Sequence, residues 1–284
     1  MTEIIKSNED IFSQKIAEFE ASHTYPPKAI ELVKASQKYL NPILNSWDAA
    51  FSKVLSAFGI SDCKQNDMPL LLQQITLRKI SQESTQDGPK IIGIAGPGAC
   101  GKGTLIDALN LPKVINTTTR TPRCYEIDQV DYRFVDDSSF QEMIKAGGFL
   151  TTDYKPGRGW YGIEKDSLHS VLKQSLAVII EGNPSTLFDI QRSIVNKNAY
   201  FTINYILPPY PPIPHLATRL AKRSIETNSD FVSSIESTLG ERQITEFESL
   251  IDISRKGGNI CFFVVDNNVD QVASSIKRIW HIDN

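Results

Sequence analysis

The sequence of 284 residues has few cysteines, no long apolar run and no excess of charge of either sign. Its 4 cysteines are far apart and form no CxxC pair, which fits neither a disulfide framework nor a zinc site and predicts a reducing, cytoplasmic environment. No run approaches the roughly 18 apolar residues of a membrane-spanning helix, and residues 1–10 lack the basic start and apolar stretch of a secretory signal. The 30 Lys+Arg and 33 Asp+Glu residues nearly balance, so the composition indicates neither a basic nucleic-acid-binding arm nor an acidic disordered chain. We therefore expect no membrane and no nucleic-acid partner.

Residues 1–88 contain helical patterns and almost no strand-like run. Pro26-Pro27 predicts a helix from about residue 28 to residue 40, and Asn41-Pro42 is typical of the N-cap and first turn of the next helix. Further helices are predicted near residues 11–19 and after Asp67, and the polar stretch 81–89 predicts a linker. The helix after Asn41 would carry one apolar face, formed by Leu44, Trp47, Phe51, Leu55 and Phe58.

From Lys90 onward, short apolar strands alternate with helical stretches. Strands are predicted at residues 91–95, 176–180, 200–207 and 261–265, and helices from about Lys102 and at residues 139–146, 167–174, 216–223 and 231–250. This alternation predicts an α/β fold with a parallel sheet covered by helices on both faces.

The strongest local signal is a glycine-rich segment that follows the first strand and opens a helix, which is the context of a phosphate-binding P-loop. Its glycines let backbone N–H groups converge on phosphate oxygens, and the helix N-terminus adds positive potential. We predict that Lys102 acts on the donor phosphates and that Cys100 is an unusually reactive thiolate, protected by ATP. A glycine follows Lys102, as in adenylate kinases, so direct hydroxyl ligation of Mg²⁺ is not expected. The predicted ATP-binding residues are Gly96, Gly98, Gly101, Lys102, Gly103 and Thr104.

The second signal is the segment Thr117-Thr118-Thr119-Arg120-Thr121-Pro122-Arg123, followed by Glu126 and by Asp131-Tyr132-Arg133-Phe134-Val135. It resembles the acceptor-binding segment of guanylate kinases. Planar guanidinium groups can hold a phosphate by paired hydrogen bonds, and a tyrosine adds a hydroxyl donor. The resemblance implies that Arg120, Arg123, Glu126 and Tyr132 bind the acceptor monophosphate.

The resemblance extends from about residue 90 to residue 279 and implies a P-loop kinase with an acceptor-binding subdomain and a lid. Trp160-Tyr161-Gly162 resembles the element whose tyrosine touches the acceptor phosphate, and residues 219–226 resemble the lid. Arg219 and Arg223 are therefore expected to act with Lys102 in catalysis, with Arg242 a further candidate. Glu181 corresponds to the acid that holds Mg²⁺ through water, so ATP and Mg²⁺ are the implied cofactors.

The residues expected to read the acceptor base depart from this family. Thr151 stands where guanylate kinases carry the acidic side chain that accepts from guanine, and Asn183 stands at the position of a second acid. Asp153 lies in an insertion-like stretch and could replace the missing carboxylate if that loop folds inward. The phosphate-binding residues are thus retained, while the base-reading residues are changed.

Three functions follow from this comparison. The first is ATP-dependent phosphoryl transfer to a nucleoside monophosphate, GMP or another. The second is a kinase of a phosphorylated sugar such as ribose bisphosphate, and the third is an inactive guanylate kinase-like binding module. We predict a helical region at residues 1–88, which binds a protein partner or supports the kinase, and a guanylate kinase-like domain at residues 89–284. Because all the motifs follow Lys90, we also expect residues 1–88 to be removable without loss of the chemistry.

Overall fold

The computed structural model describes residues 25–58, 88–194, 199–209, 212–265 and 268–282. The predicted helix near residues 11–19, the helix after Asp67 and most of the linker lie outside these residues. The strands are β1 Lys90–Ala95, β2 Asn116–Thr118, β3 Tyr132–Phe134, β4 Phe149–Lys155, β5 Gly159–Glu164, β6 Ala177–Glu181, β7 Tyr200–Leu207 and β8 Ile260–Val264. The helices are α1 Pro27–Ala35, α2 Gln37–Ala57, α3 Lys102–Leu109, α4 Asp137–Lys145, α5 Lys165–Gln174, α6 Pro184–Ile194, α7 Pro212–Thr227, α8 Phe231–Leu239, α9 Glu241–Arg255 and α10 Val269–Ile279.

The central element is a parallel sheet in the order β6-β1-β7-β8. Its strands are mostly buried and apolar, as expected for a sheet covered on both faces, with Thr202 and Asn204 of β7 as buried polar exceptions. The predicted α/β class is confirmed, and the four strands predicted for this sheet are found within one residue of their predicted bounds. Because β1 and β6 are neighbours, their carboxyl ends meet at one edge of the sheet, where ligands bind in such folds.

A second sheet, in the order β3-β2-β5-β4, carries the predicted acceptor-binding segment. Strands β4 and β5 form an antiparallel hairpin, and β2 pairs with β5 antiparallel and with β3 in parallel. The stretch 153–159, interpreted from sequence as insertion-like, is the end of β4 and the turn into β5. This sheet therefore aims the side chains of the acceptor segment toward the carboxyl edge of the parallel sheet.

Two predicted helix boundaries are wrong. Pro42 does not begin a helix but lies inside α2, and the chain breaks earlier, at Ser36. Proline inside a helix removes a hydrogen bond, yet Leu40 and Trp47 on either side of it are fully buried, so packing keeps the helix continuous. The single helix predicted over residues 231–250 is two helices, because Gly240 has an extended backbone (φ −73°, ψ −155°) and separates α8 from α9.

The described N-terminal helices pack on the part of the chain that follows residue 88. Trp47 on α2 contacts Phe247 on α9 edge to face, with ring centroids 4.7 Å apart, and Phe58 lies 4.9 Å from Phe262 of β8. Tyr25, just before α1, lies 3.3 Å from His215 of α7. The apolar residues of α1 and α2 join the same buried cluster as the parallel sheet. Removal of residues 25–58 is therefore expected to lower stability. That the chemistry survives removal of residues 1–88 stays a prediction.

Trp47→Ala is expected to lower the free energy of unfolding by about 3–5 kcal/mol, since it removes a fully buried aromatic side chain and leaves a cavity. Denaturant unfolding followed by circular dichroism measures this effect. The matched control is Tyr39→Ala, which truncates a 39% exposed aromatic of the same helix and should change stability by about 0.5 kcal/mol or less. Equal stability of the two variants would contradict the packing described here.

Candidate active site

A cavity of about 760 Å³ lies at the carboxyl edge of the parallel sheet and is bounded on its other side by the small sheet. It brings together residues that are far apart in the sequence. Apart from Glu126, every residue predicted for the site lines it: Gly96, Gly98, Gly101, Lys102, Gly103, Thr104, Arg120, Arg123, Tyr132, Thr151, Tyr161, Glu181, Asn183, Arg219 and Arg223.

The phosphate loop joins β1 to α3 in a conformation that requires glycine. Gly96 has a φ of +145°, and a Cβ atom there would collide with the carbonyl oxygen of Ile206 on the neighbouring strand. Gly101, with a φ of +101°, directly precedes the first turn of α3. The Lys102 ammonium group donates to the carbonyl oxygens of Gly96 and Pro97, at 2.9 and 2.8 Å. The lysine is thus folded over the loop, at the N-terminus of the helix that would face a phosphate.

Cys100 is not the reactive thiol that the sequence suggested. Its side chain is fully buried, and burial raises the pKa of the thiol although Lys102 opposes the rise. Since the thiolate is the nucleophile, the prediction of an activated cysteine is wrong. Cys124 is exposed and is the more accessible thiol.

The two arginines predicted to bind the acceptor are organised by a buried carboxylate. Glu126 accepts from the Arg120 guanidinium at 2.8 and 2.9 Å, and from the guanidinium and backbone N–H of Arg123 at 2.9 and 2.7 Å. Its side chain is only 4% exposed, and it lies behind the arginines rather than among the cavity-lining residues. Glu126 therefore holds two cations side by side, and its predicted contact with the acceptor becomes an indirect one through these arginines.

Two tyrosines complete this side of the cavity. The rings of Tyr132 on β3 and Tyr161 on β5 meet edge to face, with centroids 6.2 Å apart. Burial raises the pKa of Tyr132, so its hydroxyl stays protonated and remains able to donate a hydrogen bond. The Arg120 guanidinium lies 5.4 Å from the centroid of the Tyr132 ring, which links the tyrosines to the arginine pair.

The base-reading candidates lie on β4 and after β6. Thr151 and Asp153 share one face of β4, because side chains alternate along a strand. The Asn183 amide donates to Asp153 Oδ2 at 2.9 Å, and its own oxygen accepts from the Thr186 backbone N–H at 2.8 Å. Asp153 does face the cavity, as the sequence suggested it could.

The opposite wall is strongly cationic. Arg219 and Arg223 project from α7, and Arg219 donates to the Ala99 carbonyl of the phosphate loop at 3.4 Å. Arg242 on α9 pairs with Glu246 at 3.2 Å and also lines the cavity. Burial, together with Arg123, lowers the pKa of Arg223. So many guanidinium groups close together suit a polyanionic ligand.

Sequence reasoning missed Lys155 and Arg158, which also line the cavity. Both belong to the turn of the β4–β5 hairpin, in the segment Lys155-Pro156-Gly157-Arg158-Gly159. Basic residues flanking a Pro-Gly turn were the available signal. Burial and the neighbouring Arg242 lower the pKa of Arg158, which shows how near the hairpin lies to α9.

Glu181 ends β6 and faces the cavity together with Thr104, while Lys113 lies 3.9 Å from its carboxylate. Among the described residues, no three His, Cys, Asp or Glu side chains cluster closely enough to hold a metal ion. Mg²⁺ in nucleotide sites commonly uses one or two carboxylates, substrate phosphates and several waters. The residues present therefore fit an Mg²⁺ ion held mainly by ATP. That Glu181 contacts this ion through water stays a prediction.

A glycine loop between a buried strand and a helix, with a lysine and several arginines around one cavity, defines a P-loop phosphotransferase.

The guanylate kinase family model matches residues 89–255. The guanylate kinase of Caldanaerobacter subterraneus subsp. tengcongensis is 28% identical over 196 residues, covering 66% of this chain and 85% of that protein. The guanylate kinase of Wolbachia sp. subsp. Brugia malayi is 32% identical over 198 residues, covering 66% and 90%. The crystal structure of guanylate kinase from Anaplasma phagocytophilum aligns with a TM-score of 0.46 at 15% identity, covering 69% of this chain and 87% of that one.

The chain therefore belongs to the guanylate kinase family, and the predicted guanylate kinase-like phosphotransferase is confirmed. The family match begins at residue 89, after the N-terminal helices. No helix in the described part of the chain has both the length and the hydropathy needed to cross a bilayer.

Proposed function

We propose that this protein transfers the γ-phosphoryl group of ATP to a nucleoside monophosphate, with Mg²⁺, and that it does not strongly prefer GMP. The observation that supports this most is the single cavity lined both by the phosphate loop and by the paired arginines of the acceptor segment. A donor site and an acceptor site that share one cavity are what direct transfer between two phosphates requires.

The proposed chemistry is mostly positioning and electrostatic stabilisation. Lys102 and the N-terminus of α3 bind the donor phosphates, and Arg219 and Arg223 neutralise charge on the group being transferred. Arg120 and Arg123, held side by side by Glu126, bind the acceptor phosphate together with the hydroxyl groups of the two tyrosines. Mg²⁺, when bound with ATP, would supply further neutralisation of the donor phosphates.

The proposed breadth toward acceptors rests on Thr151. A hydroxyl makes one or two neutral hydrogen bonds, whereas a carboxylate accepts two charge-assisted bonds from guanine. Asp153 is already engaged by Asn183, which leaves fewer carboxylate oxygens for a base. We expect wild-type kcat/KM values for GMP, AMP, CMP and UMP to lie within about tenfold of one another, since no carboxylate at residue 151 discriminates between them.

Thr151→Glu is expected to raise the preference for GMP. One hydrogen bond to a charged group contributes about 1.5–3 kcal/mol, so even a single bond gained corresponds to roughly a 10- to 150-fold gain in the kcat/KM ratio of GMP to AMP. The assay is a coupled measurement of nucleoside diphosphate formation with each acceptor. The control is Thr245→Glu, the same substitution at an exposed threonine of α9 outside the cavity, which should not raise the GMP preference.

A strong preference of the wild type for GMP would contradict the role given to Thr151 and would point to Asp153 or Asn183 as the base reader. Phosphorylation of a sugar phosphate and of no nucleotide would favour the second function inferred from the sequence. Binding of ATP with no transfer to any acceptor would favour the binding module.

A further inference from the structure

Lys155 places a cation in the part of the cavity where the acceptor tyrosine lies. It is the last residue of β4, and its ammonium nitrogen lies 4.1 Å from the centroid of the Tyr161 ring. The carboxylate of Asp153, two residues earlier on the same face, is 3.8 Å away. The Lys155 side chain is 21% exposed. Lys155 therefore lies beside both the tyrosine proposed to bind the acceptor phosphate and the strand that carries the base-reading candidates.

The other charged neighbours of Lys155 come from α9 and from the hairpin turn. Arg242 and Glu246 of α9 and Arg158 of the hairpin turn are the charged groups that face it beyond Asp153 and Tyr161. Burial and the nearby Arg242 lower the pKa of Lys155 to about 8, against the opposing effects of Asp153 and Glu246. Lys155 thus lies between the tyrosine of the acceptor sheet and the α9 arginine, and all three line the same cavity as the phosphate loop.

The ammonium group of Lys155 donates no hydrogen bond to any residue that the structure describes, although it has three donors. By contrast, the ammonium group of Lys102 in the same cavity is satisfied by two carbonyl oxygens. The Asp153 carboxylate is 3.8 Å away, beyond hydrogen-bond distance, so the three donors of Lys155 can bind a ligand in the cavity. The neighbouring Arg242 and Arg158 make an anion such as a phosphate the ligand that this part of the cavity favours.

We propose that Lys155 is a further catalytic residue, which binds the phosphoryl group during its transfer from donor to acceptor. This inference rests on the proposed function. An oxygen of the acceptor phosphate forms a bond to the γ-phosphorus, and the bond from this phosphorus to the β,γ-bridging oxygen breaks. ADP leaves with the electron pair. Lys155 keeps its proton throughout and donates hydrogen bonds to the equatorial oxygens, whose charge is spread in the transition state.

Lys155→Met, which keeps the length of the side chain and removes the charge, is expected to lower kcat about 100-fold while changing the KM for ATP less than threefold. Lys155→Arg restores a cation and should recover at least a tenth of the wild-type kcat. Lys256→Met is the control, because Lys256 also pairs with a carboxylate but is exposed, directly after α9. A kcat of Lys155→Met within threefold of the wild type would overturn the proposal.

The pH dependence of kcat/KM separates a charge from a packing role. The lysine is charged below its pKa of about 8, so kcat/KM of the wild type should fall as the pH rises from 7 to 9.5. Lys155→Arg stays charged across this range and should not show the fall. All other titrating groups, including the acceptor phosphate, are the same in the two enzymes. If kcat/KM of Lys155→Arg falls with pH in the same way as that of the wild type, the proposal is contradicted.

Amine acetylation followed by mass spectrometry tests Lys155 without relying on turnover. At pH 8, saturating GMP together with ADP and Mg²⁺ should protect Lys155 at least tenfold, whereas labelling of Lys256 should not change. Activity in the wild type without this protection would overturn the role of Lys155 and leave the proposed function standing. If the wild type transfers no phosphoryl group, the proposed function fails, and the same labelling with inorganic pyrophosphate shows whether Lys155 binds a phosphate anion.

Discussion

Lys102→Met is expected to lower kcat about 1,000-fold or more with little change in stability. Lys102 is the first residue of α3, and its ammonium group is held by the Gly96 and Pro97 carbonyl oxygens over the phosphate loop. Cationic groups that stabilise the transferring phosphoryl group account for roughly 10³- to 10⁵-fold in rate in phosphotransferases. The side chain is not part of the apolar core, so the fold should persist.

Steady-state turnover and thermal unfolding followed by circular dichroism measure the two halves of this prediction. Lys173→Met, an exposed lysine in the last turn of α5, is the matched control and should retain wild-type turnover. Turnover of Lys102→Met within tenfold of the wild type would contradict the assignment of the phosphate loop. A collapse of its melting temperature would show instead that the lysine holds the loop together.

Glu126→Gln should lower kcat/KM for the acceptor by about 10- to 150-fold, because hydrogen bonds to charged groups contribute about 1.5–3 kcal/mol. Its carboxylate accepts from Arg120 and Arg123 at once, and the amide would present N–H groups toward one of these donors. The two guanidinium groups would then repel each other and lose their side-by-side arrangement. The KM for ATP should change little, since the hydrogen bonds of Glu126 go to the two arginines of the acceptor segment.

The control for Glu126→Gln is Asp252→Asn, the same carboxylate-to-amide change in an exposed ion pair of α9. Acceptor titrations at fixed ATP give the kinetic values for both variants. If Glu126→Gln strengthens acceptor binding, the carboxylate competes with phosphate for the arginines instead of positioning them.

The phosphate loop and the acceptor segment were predictable because each is contiguous in sequence. Gly96 and Gly101 have positive φ angles that glycine adopts without strain. The acceptor segment concentrates two arginines and their carboxylate within seven residues, from Arg120 to Glu126. The four strands of the parallel sheet were equally clear, since burial on both faces makes them predominantly apolar.

Features that depend on contacts between distant segments were missed. Strands β2 and β3 have only three residues each, too few for a clear period, and the pairing of β2 with β3 and with β5 is decided by tertiary contacts. The charges of Lys155 and Arg158 could not be placed in the site from sequence, because Arg242 of α9 faces them from a distant segment. Pro42 was misleading for a similar reason, because the burial of Trp47 against α9 outweighs the local preference of proline.

The N-terminal helices pack against α9, the helix that carries Arg242 into the cavity. Phe247, which Trp47 contacts, lies on the same helix as Gln243, and the Gln243 amide donates to the hydroxyl of the buried Tyr205 at 2.6 Å. Arg242 is the adjacent residue and faces the cavity. The apolar faces of α1 and α2 thus already have a partner within the chain, and an external protein partner of this region remains a proposal.

The central claim is direct phosphoryl transfer from ATP to a nucleoside monophosphate in one cavity. It is tested most directly with the full-length protein, ATP labelled in its γ-phosphate, Mg²⁺, and an equimolar mixture of GMP, AMP, CMP and UMP. The account predicts that the label appears in the β-phosphate of more than one nucleoside diphosphate, and that Lys102→Met abolishes it. Binding of ATP with no labelled diphosphate, or with label released only as inorganic phosphate, would contradict it.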